Sequence, residues 1–116
     1  MIRTLLAFML LCGFTQAQID ALKEVGVVRV QYVQTGEHKM KPKEVARAVR
    51  TNEGRRYILL NLDADLTDMD GWYWHEMAHH VAWEKHGEKI DPHGPEFRRI
   101  CRELVKKRTD YFCKGD

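Results

Sequence analysis

No CxxC pair occurs anywhere in this 116-residue chain, so metal ligation by paired cysteines is excluded. Charge of one sign is not in excess: 19 Lys and Arg stand against 17 Asp and Glu, and the net charge of +2 gives no case for a nucleic-acid partner. Internal repeats and low-complexity linkers are missing, which leaves one domain as the expectation at this length. No apolar run is long enough to span a membrane comfortably. What remains is an ordinary globular composition, 44% hydrophobic and 31% charged, sufficient for one modest core.

Acidic residues are also missing from the start, where none precedes Asp20. Arg3 is followed by the apolar run Leu5-Leu6-Ala7-Phe8-Met9-Leu10-Leu11 and then by Cys12-Gly13-Phe14-Thr15-Gln16-Ala17. A short basic start, an apolar stretch and a Thr-x-Ala ending match a secretory signal peptide cleaved after Ala17. Residues 1–17 are then a leader, residues 18–116 the domain, and the location secreted or periplasmic. The alternative is a buried first helix of the domain in a cytoplasmic protein. Leu11 opposes a lipoprotein reading through Cys12, because a small residue is needed there. Without Cys12, two cysteines remain, Cys101 and Cys113, either paired as a disulfide that pins the tail to the last helix or left as reduced thiols.

Residues 18–25 read as a short helix ended by Gly26. Val28, Val30 and Tyr32 alternate with Arg29 and Gln31, the period of a strand. Residues 45–49 fit strand or helix. The turn chemistry of Thr51-Asn52-Glu53-Gly54 and the run Tyr57-Ile58-Leu59-Leu60-Asn61-Leu62 favour a hairpin, 44–50 with 56–62, in a small antiparallel sheet. Thr67-x-x-Asp70 resembles a capping box ahead of a helix that runs to Lys85 or His86 and stops at Gly87. Ala78, Val81 and Ala82 of this helix can face the sheet, while Gly71 inside it costs about 1 kcal/mol against alanine. Gly94-Pro95 opens a last helix, in which Phe97, Ile100, Cys101, Leu104 and Val105 recur at helical spacing. Lys106-Lys107-Arg108 lie near its C-terminal end. The expected fold class is α+β, a small antiparallel β-sheet packed against the helix of residues 75–79 and a C-terminal helix.

That middle helix carries His75-Glu76-Met77-Ala78-His79. Histidines at i and i+4 share one helix face and can bind one metal ion through neutral ring nitrogens. Glu76 can stand beside that ion without ligating it. A catalytic zinc site stops at three protein ligands and keeps a position for water, and Glu76 is then the natural general base. The metzincin extension needs glycine and histidine where Ala82 and Lys85 stand, so it is excluded. His80 points away from the His75–His79 face, and His86 lies too far along a straight helix. His93 is preferred as third ligand because the 87–92 connection lets the chain fold back; Glu96 or Glu103 could instead ligate from the next helix. Tyr57, Tyr73 and Tyr111 are candidates to donate to a developing oxyanion.

Together, His75-Glu76-Met77-Ala78-His79 and His93-Gly94-Pro95-Glu96-Phe97-Arg98 resemble the SprT-like metallopeptidase family, which includes the Spartan proteases. That family has an HExxH helix followed by a third zinc-binding histidine in an HGxxF turn that opens the next helix. The resemblance covers roughly residues 26–107, and the strand Ile58-Leu59-Leu60-Asn61 suits the family's strand before the motif helix. It implies that His75, His79 and His93 hold Zn²⁺ and that Glu76 is the catalytic acid and base.

Other residues have plainer readings. His38 sits among lysines as a solvated loop residue, and Trp72, Trp74 and Trp83 are expected to be packed in the core or partly buried, the alternative being a substrate wall. Arg47, Arg50, Arg55 and Arg56 form a solvated face. Asp63, Asp65, Asp68 and Asp70 do not fit an EF-hand loop and serve as caps or loop residues. The sequence is therefore read as a monomeric zinc metalloendopeptidase acting on a protein or peptide substrate, with no membrane association once the leader is removed. The alternatives are a non-catalytic zinc-binding module and an amidase acting on cell-wall peptides. Glu76 argues against the first, since a structural zinc site needs no base and wants a fourth protein ligand.

Overall fold

The centre of the sheet is the unbroken apolar run Ile58-Leu59-Leu60, buried on both faces. The structure, a computed structural model, describes residues 13–114. Strand β3 (Arg56–Asn61) runs antiparallel to β2 (Ala46–Arg50), with Ala48 opposite Ile58 and Ala46 opposite Leu60. This is the expected hairpin, closed by the Thr51 and Arg55 main chains at 2.9 Å. Strand β1 (Val28–Val33) lies on the other side of β3 and runs parallel to it, Val28 opposite Arg56 and Val33 opposite Asn61. The order is β1-β3-β2, so the sheet is mixed rather than antiparallel throughout. Alternation in β1 marks a strand but carries no direction. The chain between β1 and β2 crosses from one edge to the other, and β3 fills the gap.

Asn61 holds that crossover in place. It is fully buried at the end of β3. Its Nδ2 donates to the Glu44 carbonyl at 3.0 Å and to the Lys41 carbonyl at 3.3 Å, and its Oδ1 accepts from the Asp63 N–H at 2.9 Å. Arg47 grips the same loop from outside, donating to the carbonyls of His38 and Lys39 at 2.7 and 3.1 Å. Both of those residues have positive φ, and His38 is exposed as expected. Met40 folds under the loop onto Val33 and Leu59, a small apolar cluster on the sheet face away from the helices.

Three helices cover the opposite face. Helix α2 (Met69–His86) lies against β2 and β3, and α1 (Gln16–Val25) and α3 (Pro95–Leu104) pack against α2. Ile58 and Leu60 of the sheet meet Met77, Ala78, Val81 and Ala82 of α2, which in turn meet Phe97, Ile100 and Leu104 of α3 in one core. A short α4 (Thr109–Phe112) follows, and Cys113 is disulfide-bonded to Cys101 of α3. Among the described residues, no helix is long and apolar enough to cross a membrane.

Helix ends follow partner availability. Helix α2 stops at Gly87, as expected, but the Thr67-x-x-Asp70 capping box does not form. Asp68 is the N-cap without a side-chain cap bond. The Thr67 N–H and hydroxyl both turn back to Asp65, and the Asp68 carboxylate pairs with Arg108 at 2.8 Å. The capping box occurs instead at α1, which begins at Gln16: Thr15 Oγ1 accepts from the Gln18 N–H and Gln18 Oε1 from the Thr15 N–H. Gln18 Nε2 also donates to the Leu104 carbonyl at 2.8 Å, satisfying a carbonyl at the end of α3. Of the stretch read as a leader, residues 1–12 lie outside the described residues. Lys106, Lys107 and Arg108 follow α3 rather than forming its last turn.

Asn61→Ala strips partners from two carbonyls and one N–H at once. Unfolding free energy from urea denaturation is expected to fall by about 1–3 kcal/mol. An unchanged midpoint would mean that the crossover is held by Arg47 and Met40 alone.

Candidate metal centre

Helix α2 is enclosed by the sheet on one side and by α1 and α3 on the other, so Trp74 to Ala82 are all buried. His75 and His79, one turn apart, open toward the end of the sheet at β2, and each is 8% exposed. His93 joins them from the turn before α3. That turn is tight: the Gly94 N–H donates to the Asp91 carbonyl at 3.1 Å and the His93 N–H to Asp91 Oδ1 at 3.2 Å. A Cβ on Gly94 would stand 2.9 Å from the Asp91 Cβ, so the glycine lets the chain double back. Pro95 then starts α3.

The three imidazoles are brought together over one floor. Phe97, fully buried, stacks on His79 with centroids 4.2 Å apart and meets His75 and His93 edge-on at 5.0 and 5.2 Å. One ring nitrogen from each histidine lies within 4.8 Å of the others, and the group could hold a metal ion. The donor set fits that role, because a metal takes imidazole in its neutral form. Burial, followed by the neighbouring histidines, pushes the pKa of His79 down to about 3. The phenyl floor also shuts water out from below.

Glu76 faces the same cleft and is 5% exposed. Its Oε1 accepts the Ala48 N–H of β2 at 3.0 Å, which fixes the carboxyl against the sheet edge. Burial pushes its pKa up to about 8, with the Ala48 N–H acting in the opposite direction. The cleft measures about 580 Å³. Its walls are Trp72 and Tyr111 on one side, Trp83 by His79, and Lys43 to Ala48 along β2. At its mouth the Arg47 guanidinium holds the Glu44 carboxyl below the usual carboxylate range.

The competitors for the third ligand position are placed elsewhere. His80 is buried on another side of α2, where Nε2 donates to the Tyr57 carbonyl at 2.9 Å and ties the helix to β3. His86 is exposed at the end of α2. Glu96 and Glu103 line a separate cavity between α1, α2 and α3. Of the three tyrosines, Tyr111 lines the cleft of the three histidines, Tyr57 lies on the far face of the sheet, and Tyr73 packs on Trp74. Trp74 is core and Trp72 and Trp83 are half-buried, as expected, and the latter two also wall the cleft. Arg47, Arg56 and Arg50 each face a glutamate, Glu44, Glu84 and Glu88 respectively.

Two contributors were not anticipated. The Phe112 carbonyl accepts from His75 Nδ1 at 2.6 Å. Gly71, disfavoured inside a helix, leaves room for the Phe112 ring, which would lie 2.4 Å from a Cβ there. The glycine was itself the signal, since its cost in a helix interior calls for a close neighbour.

His93→Ala is expected to abolish stoichiometric metal uptake, whereas Glu96→Ala and Glu103→Ala keep it, read by elemental mass spectrometry of purified protein. Uptake retained in His93→Ala and lost in either glutamate variant would transfer the third position to that glutamate.

Comparison with known proteins agrees with the geometry. Neither a curated protein nor a solved structure matches the chain. A family model, the SprT-like family, matches residues 57–113, a span that runs from β3 through the three histidines to the disulfide. This segment of the chain, with the whole of its candidate metal centre, belongs to the SprT-like family.

Proposed function

We propose that the protein is a zinc-dependent metallopeptidase, with His75, His79 and His93 as the zinc ligands and Glu76 as the general base. The observation that carries this reading is the placement of a buried, main-chain-anchored carboxyl in the same cleft as three convergent imidazoles. A purely structural metal has no use for it. Zinc at such a site supplies Lewis acidity and makes water acidic enough to attack near neutral pH.

The chain's own groups account for the rest. Glu76 takes a proton from the attacking water on the carboxyl oxygen not engaged by Ala48. The water oxygen joins the scissile carbonyl carbon, the C–N bond breaks, and Glu76 returns the proton to the leaving amine. Tyr111 is the tyrosine in the cleft and the candidate donor to the oxyanion. An extended peptide suits the site because β2 is an edge strand. Val45 bonds Asn61, so the alternation of an antiparallel ladder turns the main-chain groups of Ala46 and Ala48 away from β3; the Ala48 N–H is taken by Glu76, and the remaining groups face the cleft. A substrate can pair there as an added strand, with Trp72 and Trp83 flanking its side chains.

Glu76→Gln preserves an acceptor for the Ala48 N–H and is expected to keep the metal while cleavage of an unfolded protein substrate drops by about 10²–10⁴-fold. Chelation of the wild-type protein should stop cleavage and added zinc restore it. Full activity in Glu76→Gln would sink the assigned mechanism.

Export is the second part of the proposal, and the Cys101–Cys113 disulfide supports it, since such bonds persist in oxidising compartments. Cleavage after Ala17 would remove the Thr15 cap of α1 but spare the Gln18 bond to Leu104. Intact-mass measurement of the protein from its host is expected to give a chain starting at Gln18. A chain starting at Met1 would return residues 1–17 to the domain.

A further inference from the structure

His75 and Phe112 are far apart in the chain, yet the carbonyl of one accepts the Nδ1 hydrogen of the other at 2.6 Å, in a buried setting. With its hydrogen on Nδ1, the ring keeps the Nε2 lone pair for a metal. A carbonyl at this position also makes the ring a better donor and fixes its plane. The carbonyl belongs to α4, a helix of four residues (Thr109–Phe112) that starts from Arg108 in the left-handed region, at φ 55°. A single turn does not hold itself together in water. It must be held from outside.

Two features hold it. Cys113, the next residue, is disulfide-bonded to Cys101 of α3, with both residues fully buried and the Cα atoms 5.6 Å apart. Cys101 Sγ also lies 3.8 Å from the Phe112 oxygen. From the other side, the Phe112 ring fills the space that Gly71 leaves on α2 and meets Trp72 edge-on at 5.0 Å. The carbonyl is thus clamped between a covalent bond to α3 and a glycine notch in the helix that carries His75.

We propose that Phe112 is a positioning residue of the metal centre: its clamped carbonyl sets the tautomer and orientation of His75, so that the Cys101–Cys113 disulfide and the Gly71 notch govern metal affinity. This rests on reading the three histidines as a metal centre.

The test compares full-length wild type, Cys101→Ala/Cys113→Ala and Gly71→Ala, each shown folded by far-UV circular dichroism. Zinc affinity is read by competition with a chromophoric chelator, and ligand geometry by the visible spectrum of the Co²⁺-loaded protein. Both variants are expected to bind zinc about 10–100-fold more weakly and to shift the cobalt bands. Gly71→Ala improves helix propensity, so it isolates displacement of Phe112 from general destabilisation. If the cysteine variant does not fold, Gly71→Ala decides alone. Wild-type affinity and spectrum in the folded variants would overturn the inference and reduce the disulfide to a staple for the tail. Wild-type protein that takes up no zinc or cobalt would overturn the metal-centre reading itself, and this inference with it.

Discussion

The structure depends on the burial of polar groups along one enclosed helix. His75, Glu76, His79 and His80 all lie at or below 8% exposure in α2. Each buried polar group left unpaired costs about 1–3 kcal/mol, a large part of the stability of a small domain. Their partners therefore constrain everything around the helix. Ala48 of β2 answers Glu76, Tyr57 of β3 answers His80, and Phe112 of α4 answers His75. The sheet and the C-terminal turn are thus tied to α2 by three specific bonds as well as by apolar contact, and those bonds aim the site.

The gathering of His75, His79 and His93 was legible because its signals are local. Histidines at i and i+4 share a face by helix geometry alone, and the stop at Gly87 follows from the chemistry of helix ends. Phe97, Ile100, Cys101 and Leu104 formed an apolar face by period, and all are buried. His93 required one more step, that the 87–92 connection folds back, and the Asp91–Gly94 turn supplies it. The Phe97 ring beneath the three imidazoles gives a physical reason for a phenylalanine in the HGPEF segment.

What the sequence did not disclose depends on contacts distant along the chain. The period of β1 is the same whether it pairs parallel or antiparallel, and only the crossover tied to Asn61 decides. Thr67 and Asp68 had the residue types for a cap, but Asp65 and Arg108 compete for them and win. Partial burial of Trp72 and Trp83 was expected, but that they wall a cleft together with residues 43–48 depends on tertiary placement that no periodicity in α2 foretells. The helix is buried on nearly all sides, so its apolar pattern cannot separate a core face from a cleft face.

The electrostatics of the cleft give His79 and Glu76 a common logic. Burial raises the pKa of Glu76 to about 8 and lowers that of His79 to about 3, both shifts favouring the neutral form. The apolar floor and walls thus favour the uncharged forms of His79 and Glu76, and a neutral imidazole is the form in which a divalent cation is bound. With such a cation between the imidazoles, the balance at Glu76 inverts. The carboxylate that burial disfavours becomes the form favoured by an adjacent double positive charge. The same low-polarity walls that make Glu76 a poor anion on its own strengthen its attraction to that charge. Burial and cation binding are therefore coupled in this site, and removing either changes the basicity of the group that the other depends on.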